Sequence, residues 1–200
     1  VLEQVSQILF GAICHQDPSA LLIVDGRALL LCPRCMGLHL GFLFTFVLLF
    51  ICARGRTRPT RPTILLVITP AVASMCIDWF VGGKLGLFAP TSVSRLVTGL
   101  ACGSGLAMLL VAYRGDSRRL AEARVVGLSV SRAALIAIIS SSVGVALALT
   151  GSWVTITSIL IVSVMANAVI AAETAASMWW PRRRHVVVRR HVGSLKGGAV

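Results

Sequence analysis

The sequence predicts an all-α integral membrane protein of about five transmembrane helices, and three observations predict it. Hydrophobic residues make up 56% of the 200 residues and charged residues 13%, against about 25% charged in soluble domains. The mean hydropathy is +0.89. A soluble fold of this size would have too little polar surface to cover its apolar residues, and a bilayer supplies the missing solvent. Five stretches then approach the roughly 20 apolar residues that a crossing needs. Finally, arginine-rich and arginine-poor connections alternate between them.

The predicted spans are residues 37–53, 63–81, 94–113, 133–150 and 154–173. The first is short but carries no ionisable group beyond His39 and the Cys52 thiol. The second holds Asp78 near its end, and the fifth holds Asn167 with Glu173 at its end. The first connection carries Arg54, Arg56, Arg58 and Arg61. The second has only Lys84, with Arg95 at the start of the next helix. The third has Arg114, Arg118, Arg119, Arg124 and Arg132, and the fourth has no cation. The tail has Arg182, Arg183, Arg184, Arg189, Arg190 and Lys196. By the positive-inside rule the first and third connections and the tail are cytoplasmic. The N-terminus is then outside and the C-terminus inside, in a multi-pass arrangement in the cell membrane. Trp79 and Trp153 fall at outer ends, and Tyr113, Trp179 and Trp180 at inner ends, where headgroups favour them.

The formal charge of +12 raises nucleic acid as a partner, but these cations spread over two loops and a tail instead of forming one patch. They read as topology signals that also attract anionic lipids. Residues 1–13 carry Glu3 and no basic residue, so they do not read as a cleaved signal peptide. The chain divides into an extracytoplasmic segment (1–36), a transmembrane bundle (37–180) and a basic cytoplasmic tail (181–200). The oligomeric state is open.

Within 1–36, Leu2, Val5, Ile8, Leu9 and Ile13 repeat at helical spacing and predict a short amphipathic helix, on the outer surface or packed on the bundle. Two apolar runs follow, separated by Asp25-Gly26, the strongest short hairpin signal. A two-residue loop pairs Val24 with Arg27. Continued along the ladder, it sets Gln16 opposite Cys35 and Ser19 opposite Cys32. Cys14 and His15 thus come beside Cys32-Pro33-Arg34-Cys35. Thiolates and an imidazole at this spacing suit tetrahedral zinc. His39, four residues after Cys35, shares its helix face and offers a further ligand. Cysteines outside the cytoplasm also oxidise, so a disulfide or redox pair fits the same residues. Cys52, Cys76 and Cys102 read as small hydrophobes.

Asp78 and Arg95 reach the same outer level, as an ion pair or as a ligand-binding or catalytic pair. Gly37-x-x-x-Gly41 and Gly99-x-x-x-Gly103 each offer a groove for close helix contact. They predict that the first and third helices touch there, bringing Arg95 towards Cys35.

Cys14-His15-Gln16, then Cys32-Pro33-Arg34-Cys35-Met36-Gly37 with Gly41, resembles an uncharacterised prokaryotic family of predicted membrane proteins. Its signature runs Cys-His-Gln, then Cys-x-Arg-Cys-x-Gly-x-x-x-Gly. Asp78 followed by Arg95-Leu96-Val97-Thr98-Gly99 is similar to that family's later stretch. The resemblance covers roughly residues 11–105. Members often carry Tyr where this chain has His39. The resemblance implies a site but no reaction.

The sequence therefore leaves open whether the chain is an enzyme. It supports a membrane protein with an extracytoplasmic Cys/His metal site next to an Asp/Arg pair. A quinone-linked thiol–disulfide oxidoreductase and a non-catalytic scaffold or transporter subunit are the alternatives. Walker-type phosphate loops, serine-hydrolase elbows and two-histidine zinc-protease motifs do not occur.

Overall fold

Among the described residues, five helices are long and apolar enough to cross a membrane, over Pro33–Cys52, Arg61–Gly82, Ser92–Tyr113, Val130–Thr150 and Trp153–Ala176. The computed structural model describes residues 2–14, 21–53, 57–117 and 126–179. In chain order these give α1 (Leu2–Gly11), β1 (Ile23–Val24), β2 (Arg27–Ala28), α2 (Pro33–Ala53) and β3 (Thr57–Pro59). The second span follows as one rod: α3 (Arg61–Thr63), a π-helical stretch (Ile64–Ile68), α4 (Thr69–Ile77) and a second π-helical stretch (Asp78–Lys84). Then come α5 (Ser92–Ser117), β4 (Val126–Leu128), α6 (Val130–Thr150) and α7 (Trp153–Trp179).

The first π-helical stretch has a local cause. Pro70 has no N–H and its ring crowds the carbonyl of the preceding turn. Widening the helix relieves that crowding. The Ile64 carbonyl accepts the Thr69 backbone N–H and also the Thr69 Oγ1 hydroxyl, the latter at 2.9 Å.

α5 is the central helix, and it packs most extensively on α2. Glycine makes this possible. A Cβ built on Gly37 would lie 2.3 Å from the Leu96 carbonyl oxygen, and one on Gly103 would lie 2.1 Å from that of Leu38. Gly41 and Gly99 meet the facing backbone at the same closeness, 2.3 Å. The two small-residue grooves interlock as the sequence predicts, backbone against backbone. α6 joins this pair through hydroxyls: the Thr45 hydroxyl lies 2.9 Å from both Ser104 Oγ and Ser140 Oγ. Burying three hydroxyls together satisfies each one where no water enters.

The core has two parts. One gathers Phe10, Leu29, Leu31, Met36, Leu40, Leu96, Leu100, Trp153, Ile156, Leu160 and Val164 at the end where α2, α5 and α7 begin. The other gathers Leu49, Ile68, Met108, Val111, Leu128 and Ala133 towards the opposite end. There β3 pairs in parallel with β4, with Arg58 opposite Gly127, and ties the first connection to the third. Large apolar side chains along the spans, such as Phe50, Ile51, Leu66, Ile138 and Val162, stay exposed on the bundle. A lipid-facing surface has that composition.

Before α2, Val24 pairs with Arg27 and Ile23 with Ala28, antiparallel. Asp25 and Gly26 have φ of 52° and 72°, the two positive angles that a tight two-residue turn requires. The residues expected further along this ladder, Gln16 and Ser19, lie outside the described residues. The turn is fixed to the last helix. Asp25 Oδ2 accepts from the Trp153 backbone N–H at 2.8 Å, capping α7. The Trp153 indole N–H donates to the Ala28 carbonyl at 3.2 Å. The Arg27 guanidinium sits 5.2 Å from the Trp153 ring centroid. Trp153 is buried at 6% exposure under the turn it holds.

Candidate metal centre

Cys32 precedes α2 and caps it. Its carbonyl accepts the Met36 N–H at 2.9 Å, and Pro33 fills the first helical position, where a missing N–H costs nothing. α2 therefore begins four residues before the span expected from sequence. That places Cys35 in its first turn, facing back towards Cys32. α1 ends at Gly11, and the Cys14 N–H bonds the Phe10 carbonyl at 2.9 Å, which turns Cys14 towards the same place. The result is a cluster: the Sγ atoms of Cys14, Cys32 and Cys35 all lie within 4.8 Å of one another. All six cysteines are free thiols.

The cluster suits a soft metal ion. Four ligands around zinc at about 2.3 Å stand roughly 3.8 Å apart, a spacing that the three sulfurs reach with small adjustments. Such sulfurs are also expected to accept N–H groups around the metal, and the Cys32 N–H lies 3.5 Å from Cys14 Sγ. The Cys35 thiol, the backbone N–H of Cys35, the Cys14 thiol and the backbone N–H of Arg34 all favour Cys32 as thiolate. Burial opposes them. Together they hold the Cys32 thiol down at about 5, from an ordinary 9.0. A thiol at the positive end of a helix shifts in that direction. These three cysteines could hold a metal ion.

The remaining candidates fall in different places. His15 lies outside the described residues. His39 is not drawn to the sulfurs. The Asn167 amide nitrogen lies 3.0 Å from its Nδ1, and the Ser163 hydroxyl donates to its backbone carbonyl at 2.7 Å. Cys35 and His39 do share a side of α2, but α7 packs against the histidine and takes it up as a partner. Asn167 Oδ1 is left buried with no hydrogen-bond donor.

Asp78 does not pair with Arg95. It pairs with Arg34, and the two side chains are 4% and 15% exposed. Arg34 Nε donates to Asp78 Oδ2 at 2.9 Å, Nη2 reaches the same oxygen, and Ser94 Oγ lies 3.4 Å from Oδ1. The early start of α2 explains this. Arg34 reads in sequence as a loop residue, yet it sits in the first turn of α2 and reaches Asp78 across the bundle. Arg34 was thus missed as a site residue. The available signal was Pro33, which marks a helix start two residues after the last apolar residue of the hairpin. Arg95, in the first turn of α5, is half-buried, and its Nε is enclosed with no hydrogen-bond partner.

Comparison with known families now bears on this end of the bundle. Residues 14–109 match the model of a family described as "Predicted membrane protein (DUF2085)". This segment is similar to that family. The match in this DUF2085 segment begins at Cys14 and ends within α5, so it takes in the three thiols, the Arg34–Asp78 pair, Arg95 and both glycine grooves. α6 and α7 lie beyond it. Neither a curated protein nor a solved structure matches the chain.

Proposed function

We propose that this is a multi-pass protein of the cell membrane that holds a zinc ion at its extracytoplasmic end. Cys14, Cys32 and Cys35 would be ligands and His15 the fourth, with Asp78 and Arg95 on the polar wall beside the ion. The observation that carries this reading is the convergence of three thiols, from two segments 18 residues apart, within 4.8 Å. The outward orientation, N-terminus outside and C-terminus inside, rests on the alternation of arginines between connections. When bound, zinc would fasten the segment before α2 to the bundle and could polarise an oxygen of a ligand. His39 belongs to the packing of α7 and not to this ligand set.

Elemental analysis of the detergent-purified protein tests the proposal. One zinc per chain is expected, with loss of that zinc in Cys32→Ser. A wild-type preparation free of stoichiometric metal would sink it. Anionic lipids would also gather at the opposite end, where the loops and tail carry most of the arginines.

A second reading is favoured by one observation, the lowered Cys32 thiol. In it the Cys32/Cys35 dithiol loses two electrons and two protons as a disulfide forms, and a quinone takes up both to become the quinol. Cys14 then resolves mixed disulfides. In the metal-stripped protein, Cys32 should react with iodoacetamide at pH 6, because a thiol titrating near 5 is already ionised there while ordinary thiols are protonated. A redox-dependent mobility shift that Cys32→Ser abolishes, in protein without zinc, would replace the metal reading with this one.

A further inference from the structure

Arg95 is a cation at membrane depth, and among the described residues no carboxylate pairs with it. It lies three residues into the span that begins at Ser92, about 4.5 Å along the helix axis. Its Nε is shielded from solvent and has no acceptor. The described carboxylate beside the adjacent Ser94 is already occupied: Asp78 Oδ2 takes both donors from Arg34, and Oδ1 faces the Ser94 hydroxyl. The other carboxylates described at this end do not reach it. Asp25 caps α7 through the Trp153 N–H, and Glu3 lies exposed on α1. A guanidinium N–H enclosed without an acceptor is costly, and the half-buried Arg95 leaves the rest of its fork open to an anion.

The surroundings favour an oxyanion. Arg95 and Gly99 are four residues apart and so share a face of α5. At Gly99 the Arg34 carbonyl approaches within 2.3 Å of where a Cβ would sit. Both helices therefore present an arginine in the first turn of one tight seam, where two guanidinium groups stand against one carboxylate. The positive end of the 26-residue α5 adds to the same field. Next to it, Trp79, Phe80, Leu87 and Phe88 are all exposed, and the Lys84 ammonium lies 5.9 Å from the Trp79 ring. Apolar side chains with a cation among them suit the boundary between headgroups and acyl chains.

We infer that Arg95, beside the Arg34–Asp78 pair, binds a phosphate group at the thiol end of the bundle. The planar guanidinium fork is suited to two oxygens of one phosphate. The group belongs to an anionic phospholipid headgroup or to free phosphate, since both present the same oxygens. The inference uses the same end of the bundle as the zinc proposal but none of its ligands, so either can fail without the other.

Native mass spectrometry of the detergent-purified full chain tests it, with dioleoyl phosphatidylglycerol as one probe and inorganic phosphate as the other. Zinc content is recorded on the same samples. Tighter retention of the lipid by wild type, weakened at least tenfold in Arg95→Gln, identifies a lipid headgroup. The same pattern with inorganic phosphate alone identifies the free ion. Arg95→Lys should give intermediate retention, because it keeps the charge and loses the fork. It serves in place of Arg95→Gln if that variant does not fold. Equal retention of both probes by wild type and the variant would overturn the inference, whatever the zinc content. Loss of zinc with phosphate binding intact would count against the metal centre alone.

Discussion

The first turns of α2 and α5 are near twins. Each opens a long apolar helix, each belongs to the same glycine-lined seam, and each carries one arginine facing the end of the bundle. In α2 that arginine is bound to Asp78, with side chains 15% and 4% exposed. In α5 it is half-buried with an enclosed nitrogen that nothing accepts. The difference separates two uses of one residue type at membrane depth. Arg34 is part of the fold, because it satisfies a carboxylate that would otherwise be stranded. Arg95 pairs with no carboxylate among the described residues, so it is the one of the two that the fold should spare more easily.

The largest effect should come from breaking the paired side. Asp78→Asn leaves Arg34 buried without a counter-charge and should cost about 3–5 kcal/mol of stability. Unfolding of the detergent-purified protein by heat or by SDS titration measures this. The double variant Arg34→Gln/Asp78→Asn should recover most of the loss, because both charges are then gone. No recovery would mean that the pair is not the source of the effect.

Next comes the seam that brings the two turns together. Gly103→Ala puts a Cβ 2.1 Å from the Leu38 carbonyl oxygen, so the helix backbones must separate, at about 1–3 kcal/mol. Gly105→Ala is the internal control. It lies two residues on, where the nearest atom is Val72 Cγ2 at 3.4 Å, and it should be close to neutral. Equal losses in both variants would show that close approach at Gly103 is not what sets the cost, since helix propensity alone favours alanine over glycine at both positions.

A smaller effect is expected where the hairpin meets α7. Arg27→Ala removes the guanidinium that stands 5.2 Å from the Trp153 ring and should cost about 0.5–1 kcal/mol. A drop in the melting temperature of a degree or two, with zinc content unchanged, is the expected readout. If zinc were lost as well, the hairpin would be holding the thiols together and not merely covering Trp153.

What could be read from sequence follows from how local each signal is. The spans were legible because lipid demands about 20 apolar residues in a row. The Val24–Arg27 pairing was legible because Asp25-Gly26 fixes a two-residue turn by itself. The α2–α5 contact was legible because paired small residues leave one way for two helices to approach. The partners of Asp78, His39 and Asp25 were not. Arg34, Asn167 and Trp153 stand 44, 128 and 128 residues away from them, and no local pattern selects one distant partner over another. The start of the first helix was less legible for a related reason: Arg34 reads as a loop charge in sequence, whereas it sits in the first turn of α2, neutralised by Asp78.

The smallest expected effect is the one that decides the comparison. Arg95→Gln should change stability by less than about 0.5 kcal/mol, the usual range for a side chain with no specific partner. Glutamine fills much of the same volume and removes the uncompensated charge, so a slight gain in melting temperature is as acceptable as no change. The measurement belongs beside Asp78→Asn in the same detergent, since the two variants alter neighbouring groups and differ only in whether a partner is left behind. Were Arg95→Gln to lose as much as Asp78→Asn, Arg95 would be bearing on the fold after all. The two first turns would then be alike in use as well as in form.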